Sequence, residues 1–351
     1  MALPKGWRIV EKLRIVLVGC GSISGAWLSV MKDREDAEFV GLVDVNREAA
    51  EKRAAEFGLA GAVIGTELEA VLADTSPDVV FDCTIPEAHA AVTTTALRHG
   101  CHVLSEKPMA DSMANARAMV AAAQAAGKAY AVMQNRRYLP GMLALRRFLD
   151  SGVIGRVTTV YCDFFLAPHF GGFRDQMRHV LLLDMAIHTF DQARFLARQD
   201  ALAALAYEWN PPGSWYAHDA SAIAVFEMTD QVVYNYRGSW CANGLATSWE
   251  CSWRIIGEHG TVTWDGRETF QAQVVGDETG FMPGVKDVEV PFDPATVTLL
   301  GHAGCIDEFL RCVRTGGTPQ TVCTDNIKSL AMVHGAIAAA EQGQRVACES
   351  L

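Results

Sequence analysis

The sequence predicts an α/β chain of two domains. Residues 1–134 are predicted to form a doubly wound parallel sheet, and residues 135–351 an α+β domain with a large, mostly antiparallel open sheet. Short apolar runs alternate with helical segments in the first part, which is typical of the β-α-β units of parallel sheets. From residue 203 to residue 265, strand-like runs such as residues 221–226 follow one another without intervening helices, which indicates antiparallel pairing.

The composition excludes several classes of partner. Half of the 351 residues are hydrophobic and 20% are charged, which is typical of a globular protein with enough length for two cores. The net charge of −11 opposes nucleic-acid binding, and no apolar run reaches the length of a membrane span. Residues 1–12 lack an apolar signal core, and the ten cysteines include no Cys-x-x-Cys pair. We therefore expect a cytoplasmic protein with reduced thiols, no bound metal, and no nucleic-acid or membrane partner.

The first predicted strand, residues 13–18, leads into a glycine-rich turn, Gly-Cys-Gly-Ser-Ile-Ser at residues 19–24, and then into a helix that ends near Met31. Gly19 permits a tight turn, and Gly21 permits the backbone to approach a pyrophosphate at the helix N-terminus. Ser24 stands where a third glycine commonly serves helix–strand packing. This order of strand, turn and helix predicts a dinucleotide-binding unit of the Rossmann type.

A second strand, residues 38–44, ends in Asp44, about twenty residues after the glycine-rich turn. An acid at this position can accept hydrogen bonds from the 2′-hydroxyl of an adenine ribose and would repel a 2′-phosphate. Arg47 lies nearby, and an arginine can bind that phosphate. The pattern therefore favours NAD without excluding NADP. Alternatively, Asp44 is a turn or N-cap residue before a helix at residues 47–57.

The remaining elements of the first domain continue the alternation of helix and strand. In chain order they are a helix opened by a capping box at residues 66–69, a strand at 78–82, a helix that ends at 99, a strand from 100, a helix at 112–126 and a strand at 130–134. In an open parallel sheet, ligands bind beyond the carboxyl ends of the strands. The residues that follow each strand are therefore candidates for the functional site.

Two groups of residues follow the ends of neighbouring strands. Thr84, Pro86 and His89 come after the strand at 78–82, and Lys107 comes after the strand that begins at residue 100. We expect Lys107 to project toward a ligand, although a surface lysine after a core strand would give the same pattern. His89 is either a first-turn helix residue or a cofactor contact.

The second domain is predicted to hold mainly strands and two terminal helices. In chain order its elements are a helix that ends near residue 151, strands at 156–165, 203–208, 220–227, 231–239, 250–256 and 260–265, and helices at 299–314 and 325–342.

One further helix of this domain, residues 181–191, carries Asp184 and His188 four residues apart and therefore on one face. A carboxylate beside an imidazole orients the ring and raises its basicity, which suits general acid–base catalysis. The alternatives are a buried structural hydrogen bond, a surface pair, or half of a metal site.

In combination these motifs resemble the Gfo/Idh/MocA family of NAD(P)-dependent oxidoreductases, named for glucose–fructose oxidoreductase and inositol dehydrogenase. The resemblance covers residues 13–346 and rests on the glycine-rich turn, Asp44, the group around Thr84, Glu106-Lys107-Pro108, and Asp184-x-x-x-His188, in this order. Glu-Lys-Pro with a later Asp-x-x-x-His is its most specific part.

The resemblance implies that the first domain binds NAD or NADP and that the second binds a small-molecule substrate and forms a homodimer or homotetramer through its sheet. It implies a catalytic lysine at Lys107, an orienting aspartate at Asp184 and an acid–base histidine at His188, with a cis Lys107–Pro108 bond. Arg174 lies where the family often has an arginine near the nicotinamide. The expected cofactor contacts are Gly19, Gly21, Ser22, Ile23, Asp44, Arg47, Thr84, Pro86, His89, Glu106, Lys107 and Arg174.

One departure from the family pattern concerns the substrate. Many members have a glycine run a few residues before the aspartate, whereas this chain has Arg178, His179 and Val180. If Arg178 and His179 point into the pocket, we expect a substrate that is anionic or smaller than a hexose, because arginine binds carboxylates bidentately. Alternatively, Arg178 faces solvent and His179 packs against the strand near residue 164. Asn135 and Arg136, at the domain junction, are further expected substrate contacts.

The expected reaction is transfer of a hydride between nicotinamide and a secondary alcohol or ketone of a sugar, polyol, inositol or sugar-derived acid. Two alternatives use the same fold: a non-catalytic nucleotide-sensing protein, and a redox-neutral enzyme with tightly bound NAD. The presence of both Lys107 and His188 disfavours the first alternative. Release of cofactor on denaturation would indicate the second.

Overall fold

The computed structural model describes residues 12–277, 279 and 281–350, and the chain divides into two compact units. The first unit comprises residues up to 133 together with 306–323, and the second comprises residues 134–305 and 324–351. Residues 1–11, which belong to the segment expected to lack a signal core, lie outside the described residues. Within the described part, no helix is both long enough and apolar enough to cross a membrane.

The first unit alternates strands and helices, as predicted. In chain order its elements are β1 (Leu13–Val18), α1 (Ser24–Met31), β2 (Ala37–Val43), α2 (Arg47–Glu56), β3 (Val63–Gly65), α3 (Leu68–Thr75), β4 (Val79–Asp82), α4 (Pro86–Arg98), β5 (His102–Ser105), α5 (Met113–Ala126) and β6 (Tyr130–Val132). The described strands form a parallel sheet in the order β3-β2-β1-β4-β5-β6. The winding direction reverses between β1 and β4, which is where open α/β sheets bind ligands.

Burial on both faces of this sheet explains the apolar character of its central strands. Every residue of β4 is buried, and so are the last four residues of β1. Trp27 of α1 packs edge-on against Phe81 of β4, with their ring centroids 5.0 Å apart. This contact brings α1 directly over the strands whose carboxyl ends carry the predicted site.

The N-terminal caps of α2 and α3 differ from those that the sequence predicts. Asn46 caps α2 by accepting the backbone N–H of Glu48, so Asp44 does not cap this helix. The capping box predicted at residues 66–69 does not form, because α3 begins at Leu68 and the residue before it, Glu67, makes no cap hydrogen bond. Glu69 therefore occupies the second helical position instead of the third position that a capping box requires.

Residues 306–323 belong to the first unit, although most of the second unit precedes them in the chain. Arg314 pairs with Asp36 at 2.6 Å, and Thr321 accepts a backbone hydrogen bond from Val132, the last residue of β6. The predicted division placed this segment in the second domain. The apolar periodicity of one helix shows that it packs on a core, but not which core it joins.

The second unit combines helices with a large sheet. Beginning with a 3-10 helix (Asn135–Tyr138), its elements are α6 (Pro140–Asp150), β7 (Val157–Phe165), α7 (Phe173–Gln176), a π-helix (Leu181–Ala186), α8 (Ile187–Ala197), β8 (Ala201–Trp209), β9 (Ser221–Met228), a 3-10 helix (Thr229–Gln231), β10 (Val233–Ser239), β11 (Ser252–Gly257), β12 (Gly260–Trp264), β13 (Phe270–Asp277), β14 (Gly284–Val288), a 3-10 helix (Pro294–Thr296), α9 (His302–Thr315), α10 (Cys323–Gln342) and β15 (Val346–Ala347). The last part of α9 and the first residue of α10 belong to the first unit.

The described strands of this unit pair in the order β14-β13-β12-β11-β7-β10-β9-β8-β15. Among them only β7 and β10 pair in parallel, so the prediction of a mostly antiparallel sheet is confirmed. The prediction missed β13, β14 and β15. β14 is exposed over most of its length, so it lacks the alternation of apolar and polar residues that reveals a half-buried strand.

One face of this sheet packs against α8, and the other is exposed. Phe190 of α8 contacts Phe226 and Tyr236, with ring centroids 4.8 and 5.3 Å apart. The register of β7 to β10 places a row of hydrophobic side chains on the opposite face. These exposed residues are Tyr161, Leu205, Tyr207 and Ile223.

The π-helix runs directly into α8, where the sequence predicted one regular helix. A π turn holds one residue more than an α turn, and such turns occur frequently at functional sites. The π-helix carries Asp184, and His188 is the second residue of α8. Further along α8, the buried carboxylate of Asp191 pairs with the buried guanidinium of Arg137 at 2.6 Å, which fixes the helix in the unit.

His179, two residues before the π-helix, lies between two carboxylates. Its Nδ1 is 2.6 Å from Oε2 of Glu208 on β8, and its Nε2 is 3.4 Å from Oε1 of Glu341 on α10. The backbone of His179 is left-handed, with φ of +52°, a conformation that few non-glycine residues adopt. The hydrogen bond to Glu208 raises the pKa of His179 above its ordinary value, although burial opposes the rise. This three-residue clamp fixes the entry into the π-helix.

The clamp predicts a pH-dependent contribution to stability. Because the pKa of His179 is raised in the folded state, the contribution is fully present below the ordinary histidine pKa, about 6.5, and is lost as the pH rises through the folded-state value. We therefore expect His179→Gln to lower the urea midpoint clearly near about pH 6 and much less near about pH 9. His218→Gln, which changes an exposed histidine of the same unit, is the control. A pH-independent difference between wild type and His179→Gln would contradict the clamp.

Candidate active site

The glycine-rich turn joins β1 to α1 at the carboxyl edge of the parallel sheet. Gly19 has φ of +87°, and a Cβ atom there would lie 2.6 Å from the carbonyl oxygen of Cys83, so only glycine fits. At Gly21, by contrast, a Cβ atom would meet no protein atom within 4 Å. The fold itself does not require glycine at this second position, whereas the close approach of a pyrophosphate would.

The N-terminus of α1 can receive an anion. No side chain caps this helix, and Ser22 and Ile23, which precede it, are exposed. Ser24, in place of the third glycine, is buried and donates its hydroxyl hydrogen to the carbonyl of Gly21 at 2.7 Å, which closes the turn from within. The residues present therefore fit a dinucleotide whose pyrophosphate lies at this helix end.

Asp44 lies directly after β2 and holds the glycine-rich turn. Its Oδ2 accepts the N–H of Cys20 at 2.7 Å, and its Oδ1 accepts the N–H of Asn46 at 2.8 Å. The turn role that the sequence left open for Asp44 is therefore present. A carboxylate oxygen can accept more than one hydrogen bond, so this side chain retains the capacity to bind a ribose hydroxyl.

Two arginines of α2 differ in their surroundings. Arg47, expected near a 2′-phosphate, is exposed and pairs with Glu51 at 2.8 Å. Arg53, which no sequence motif indicates as a site residue, donates to the carbonyl of Gly21 at 2.8 Å and pairs with Glu56. Arg53 thus supports the glycine-rich turn from outside. Its sequence signal is weak because α2 has the charge pattern of a solvated surface helix.

β4 ends at the same edge of the sheet in Asp82, which is fully buried. Thr84 donates its hydroxyl hydrogen to Asp82 at 2.5 Å, so the hydroxyl expected to contact the cofactor is turned inward. His89 is also fully buried, with Nδ1 3.0 Å from the carbonyl oxygen of Pro108 and Nε2 3.1 Å from that of Thr84. Both ring nitrogens are engaged within the unit, which differs from the predicted cofactor contact. Pro86, at the start of α4, is partly exposed.

Glu106-Lys107-Pro108 follows the end of β5. Glu106 is buried, and its two carboxylate oxygens accept the indole N–H of Trp27 at 2.7 Å and the backbone N–H of Lys107 at 3.1 Å. This internal role also differs from the predicted cofactor contact, because a buried acid must be satisfied by donors of the protein itself. The Lys107–Pro108 peptide bond is cis, as the resemblance implied. Lys107 is partly exposed between these two immobilised neighbours.

In the second unit, the predicted catalytic residue Asp184 pairs with Arg174. The Nε of Arg174 donates to Oδ2 of Asp184 at 2.7 Å. The guanidinium also lies over the rings of Phe170 and Phe173, 5.1 and 4.7 Å from their centroids. His188 is buried near the start of α8. The structure therefore connects Arg174, the expected cofactor contact, with Asp184, the expected orienting aspartate.

Aromatic and charged contacts extend this network. The rings of Phe170 and Trp249 lie with centroids 6.2 Å apart, and both side chains are half exposed. Arg136, a predicted substrate contact, donates to the carbonyl of Trp249 and pairs with Glu250 at 3.1 Å. Burial raises the pKa of the Glu250 carboxyl, and Arg136 opposes this rise. Arg136 thus holds the loop that carries the exposed ring of Trp249.

The other predicted substrate residues have distinct surroundings. The side-chain amide nitrogen of Asn135 lies 3.4 Å from Nδ1 of His302, and Arg178 is exposed. His179 was predicted to line the pocket if it pointed inward. The clamp occupies both of its ring nitrogens with Glu208 and Glu341, so the expectation of a substrate contact is corrected.

Metal-binding side chains do not converge in the part of the chain that the structure covers. Among the described residues, no group of three or more histidine, cysteine, aspartate or glutamate side chains could hold a metal ion. The ten cysteines, all within the described ranges, are free thiols, and eight of them are buried. The alternative of a half metal site at Asp184 and His188 therefore finds no third ligand among these residues.

Two family models match the chain. A model described as the oxidoreductase family with an NAD-binding Rossmann fold matches residues 13–134. A model of the GFO/IDH/MocA C-terminal domain matches residues 142–263. Together the two matches span well over half of the chain.

Named relatives align over nearly the full length. The 1,5-anhydro-D-fructose reductase of Ensifer adhaerens is 25% identical over 339 residues, covering 95% of this chain and 98% of the relative. The D-apiose dehydrogenase of Paraburkholderia graminis is 27% identical over 365 residues, covering 97% and 91%. An oxidoreductase from Agrobacterium radiobacter, solved in complex with NAD⁺, L-tartaric acid and magnesium, has the same fold, with a TM-score of 0.83 at 21% identity over 96% and 99% of the two chains. The chain belongs to the Gfo/Idh/MocA family of oxidoreductases, and its first unit is an NAD-binding Rossmann domain.

Proposed function

We propose that the protein transfers a hydride between NAD and a secondary alcohol or ketone of a sugar, polyol, inositol or sugar-derived acid. The position of Lys107 is the observation that carries this proposal. This lysine follows β5 at the ligand-binding edge of the NAD-binding unit, and Glu106 and Pro108 on either side of it are held by buried contacts. NAD, when bound, supplies the hydride chemistry.

The protein side chains would then act on the substrate oxygen and its proton. Lys107, as an ammonium, donates a hydrogen bond to the oxygen on which negative charge develops. His188 takes the hydroxyl proton in oxidation and returns it in reduction. Asp184 orients His188, and Arg174 fixes Asp184 through the 2.7 Å contact between them. The proposal requires that Lys107 and His188 act on one and the same substrate.

The names of the relatives support the substrate class. A reductase of 1,5-anhydro-D-fructose and a dehydrogenase of D-apiose align over more than nine-tenths of this chain. The exposed side chain of Arg178 is retained as a candidate contact for an anionic group, in line with the L-tartaric acid bound by the structural relative. Asn135 and Arg136 remain proposed substrate contacts, whereas His179 is withdrawn from this role.

A substrate panel tests the proposed reaction. The purified protein would be incubated with NAD or NADP and individual sugars, polyols, inositols and sugar acids, while the absorbance of the reduced cofactor is followed. We expect turnover with at least one member of the panel. If none reacts in either direction and NAD is released only on denaturation, a redox-neutral reaction with tightly bound NAD replaces the proposal.

Asp44 predicts a preference for NAD over NADP. Asp44→Asn keeps one side-chain oxygen to support the turn and removes the charge that repels a 2′-phosphate. We therefore expect the ratio of the two dissociation constants to shift toward NADP by about tenfold, which corresponds to about 1.4 kcal/mol of lost repulsion. Calorimetric titration of both cofactors measures this ratio. Glu48→Gln, an exposed acid on α2, removes the same charge and should leave the ratio unchanged. Tighter binding of NADP than of NAD by the wild type would show that the assignment is wrong.

His188 predicts a loss of turnover without a loss of cofactor binding. His188→Ala should lower kcat by about 10²–10⁴-fold, the usual contribution of a positioned acid–base group. The dissociation constant of NAD should not change, because His188 lies outside the segment that matches the NAD-binding model. Initial rates on the best substrate of the panel and calorimetry measure both effects, with His218→Ala as the control. Normal turnover by His188→Ala would mean that Asp184 and His188 are structural.

We further propose that the chain forms a homodimer or homotetramer through the exposed face of the second unit's sheet. Tyr161, Leu205, Tyr207 and Ile223 place exposed apolar side chains on this face, and exposed apolar surface is the usual mark of an interface.

Light scattering tests this assembly. The wild type should have two or four times the mass of the 38.1 kDa chain, and the double variant Tyr207→Glu with Ile223→Glu should be a monomer, because each change places a charge in the proposed interface. Leu245→Glu introduces one charge at a fully exposed position outside this face and should not alter the mass. A wild-type mass of a single chain at micromolar concentration would refute the interface.

A further inference from the structure

We propose that His89 is held as an imidazolium and is a positioning residue for the turn that carries Lys107. The role of Lys107 rests on the function proposed above, whereas the charge of His89 follows from the geometry of the first unit alone. The observation behind the proposal is a fully buried ring whose two nitrogens both face backbone carbonyl oxygens.

These two carbonyls determine the protonation state. Nδ1 lies 3.0 Å from the oxygen of Pro108, and Nε2 lies 3.1 Å from the oxygen of Thr84. A carbonyl oxygen only accepts hydrogen bonds, and a neutral imidazole has one N–H group and one lone pair. A neutral His89 would therefore direct a lone pair at a carbonyl oxygen at hydrogen-bond distance, in a side chain that is fully buried. Only the doubly protonated ring satisfies both acceptors.

A buried cation requires an anion nearby, and Asp82 provides it. Its Oδ1 lies 4.0 Å from Nε2 of His89, and both side chains are fully buried. Burial raises the pKa of the Asp82 carboxyl above its ordinary value, whereas the neighbouring His89 and the hydrogen bonds from the hydroxyl and the N–H of Thr84 oppose this rise and favour the charged form. His89 lies near the N-terminus of α4, where the helix dipole disfavours a cation, so the countercharge of Asp82 is needed to keep the ring charged.

The imidazolium joins two segments that follow neighbouring strands. Thr84 belongs to the segment after β4, and Pro108 directly follows Lys107 in the turn after β5. On the other side of Lys107, Glu106 is held by the indole of Trp27. The backbone around Lys107 is therefore restrained from both sides, and loss of one ring proton of His89 would release one of these restraints.

Nitrogen NMR of the wild type tests the charge of His89 without any substrate. In protein with ¹⁵N-labelled histidine at neutral pH, we expect two nitrogen-bound ring protons for His89. His102 of the same unit is the internal reference, because its Nδ1 accepts the N–H of Ala129 at 3.0 Å and burial lowers its pKa, so it should show one ring proton. The variants His89→Gln and His102→Gln assign the signals. A single ring proton on His89 would overturn the proposal.

The variant His89→Gln tests the positioning role. A glutamine amide can donate from its nitrogen only, so it cannot satisfy both carbonyls. We expect kcat on the best substrate of the panel to fall by about 10²-fold, the size expected for a catalytic group displaced by about 1 Å, while the dissociation constant of NAD stays unchanged. His99→Gln, at the end of the same helix and partly exposed, is the matched control and should behave as the wild type.

A second readout reports on Lys107 directly. Reductive ¹³C-methylation keeps the charge of lysine, and Lys107→Arg identifies the Lys107 signal. We expect this signal to shift in His89→Gln and not in His99→Gln. An unchanged Lys107 signal or an unchanged kcat in folded His89→Gln would overturn the positioning role. Full turnover by Lys107→Met would instead refute the proposed function and leave the ring-proton result intact.

Discussion

Two buried carboxylates at the edge of the parallel sheet control the geometry of the first unit. Asp82 ends β4, Glu106 follows β5, and these two strands are neighbours in the sheet. A buried carboxylate without donors is strongly unfavourable, so each must find partners within reach. Thr84 donates hydrogen bonds to Asp82, and Trp27 and the backbone N–H of Lys107 donate hydrogen bonds to Glu106. The segments after both strands are thereby fixed by the protein itself, without help from a ligand.

In the second unit, charge pairs fix the backbone before and within the π-helix. Asp184 lies in a π turn, and His179 before it has a left-handed backbone. Strained conformations persist only where the surroundings over-determine them. The carboxylates of Glu208 and Glu341 do so for His179, and the pairing with Arg174 orients Asp184. The proposed acid–base residues are thus held by charge pairs on one side of the π-helix and by the packing of α8 on the other.

The fold could be predicted largely from the sequence, because strands buried on both faces appear as continuous apolar runs and half-buried strands alternate. The positions of Lys107 and Asp44 were predictable for the same reason, since each follows a recognisable strand. The inward-turned roles of His89 and Glu106 were not, because a motif shows that a residue follows a strand but not whether its side chain faces a ligand or the core. The attachment of residues 306–323 depends on ion pairs between residues far apart in sequence, which no local pattern reveals.

The difference between buried and exposed site residues has a consequence for substrate choice. His89 and Glu106 are buried and hold the residues on either side of Lys107, so replacing either should impair the proposed hydride transfer for every substrate alike. Phe173 and Trp249 are 68% and 43% exposed, and Arg178 is exposed as well, so these side chains can change without breaking a buried pair. On this argument, variants of the exposed residues should alter which substrate is used, and variants of the buried ones should alter whether any is used.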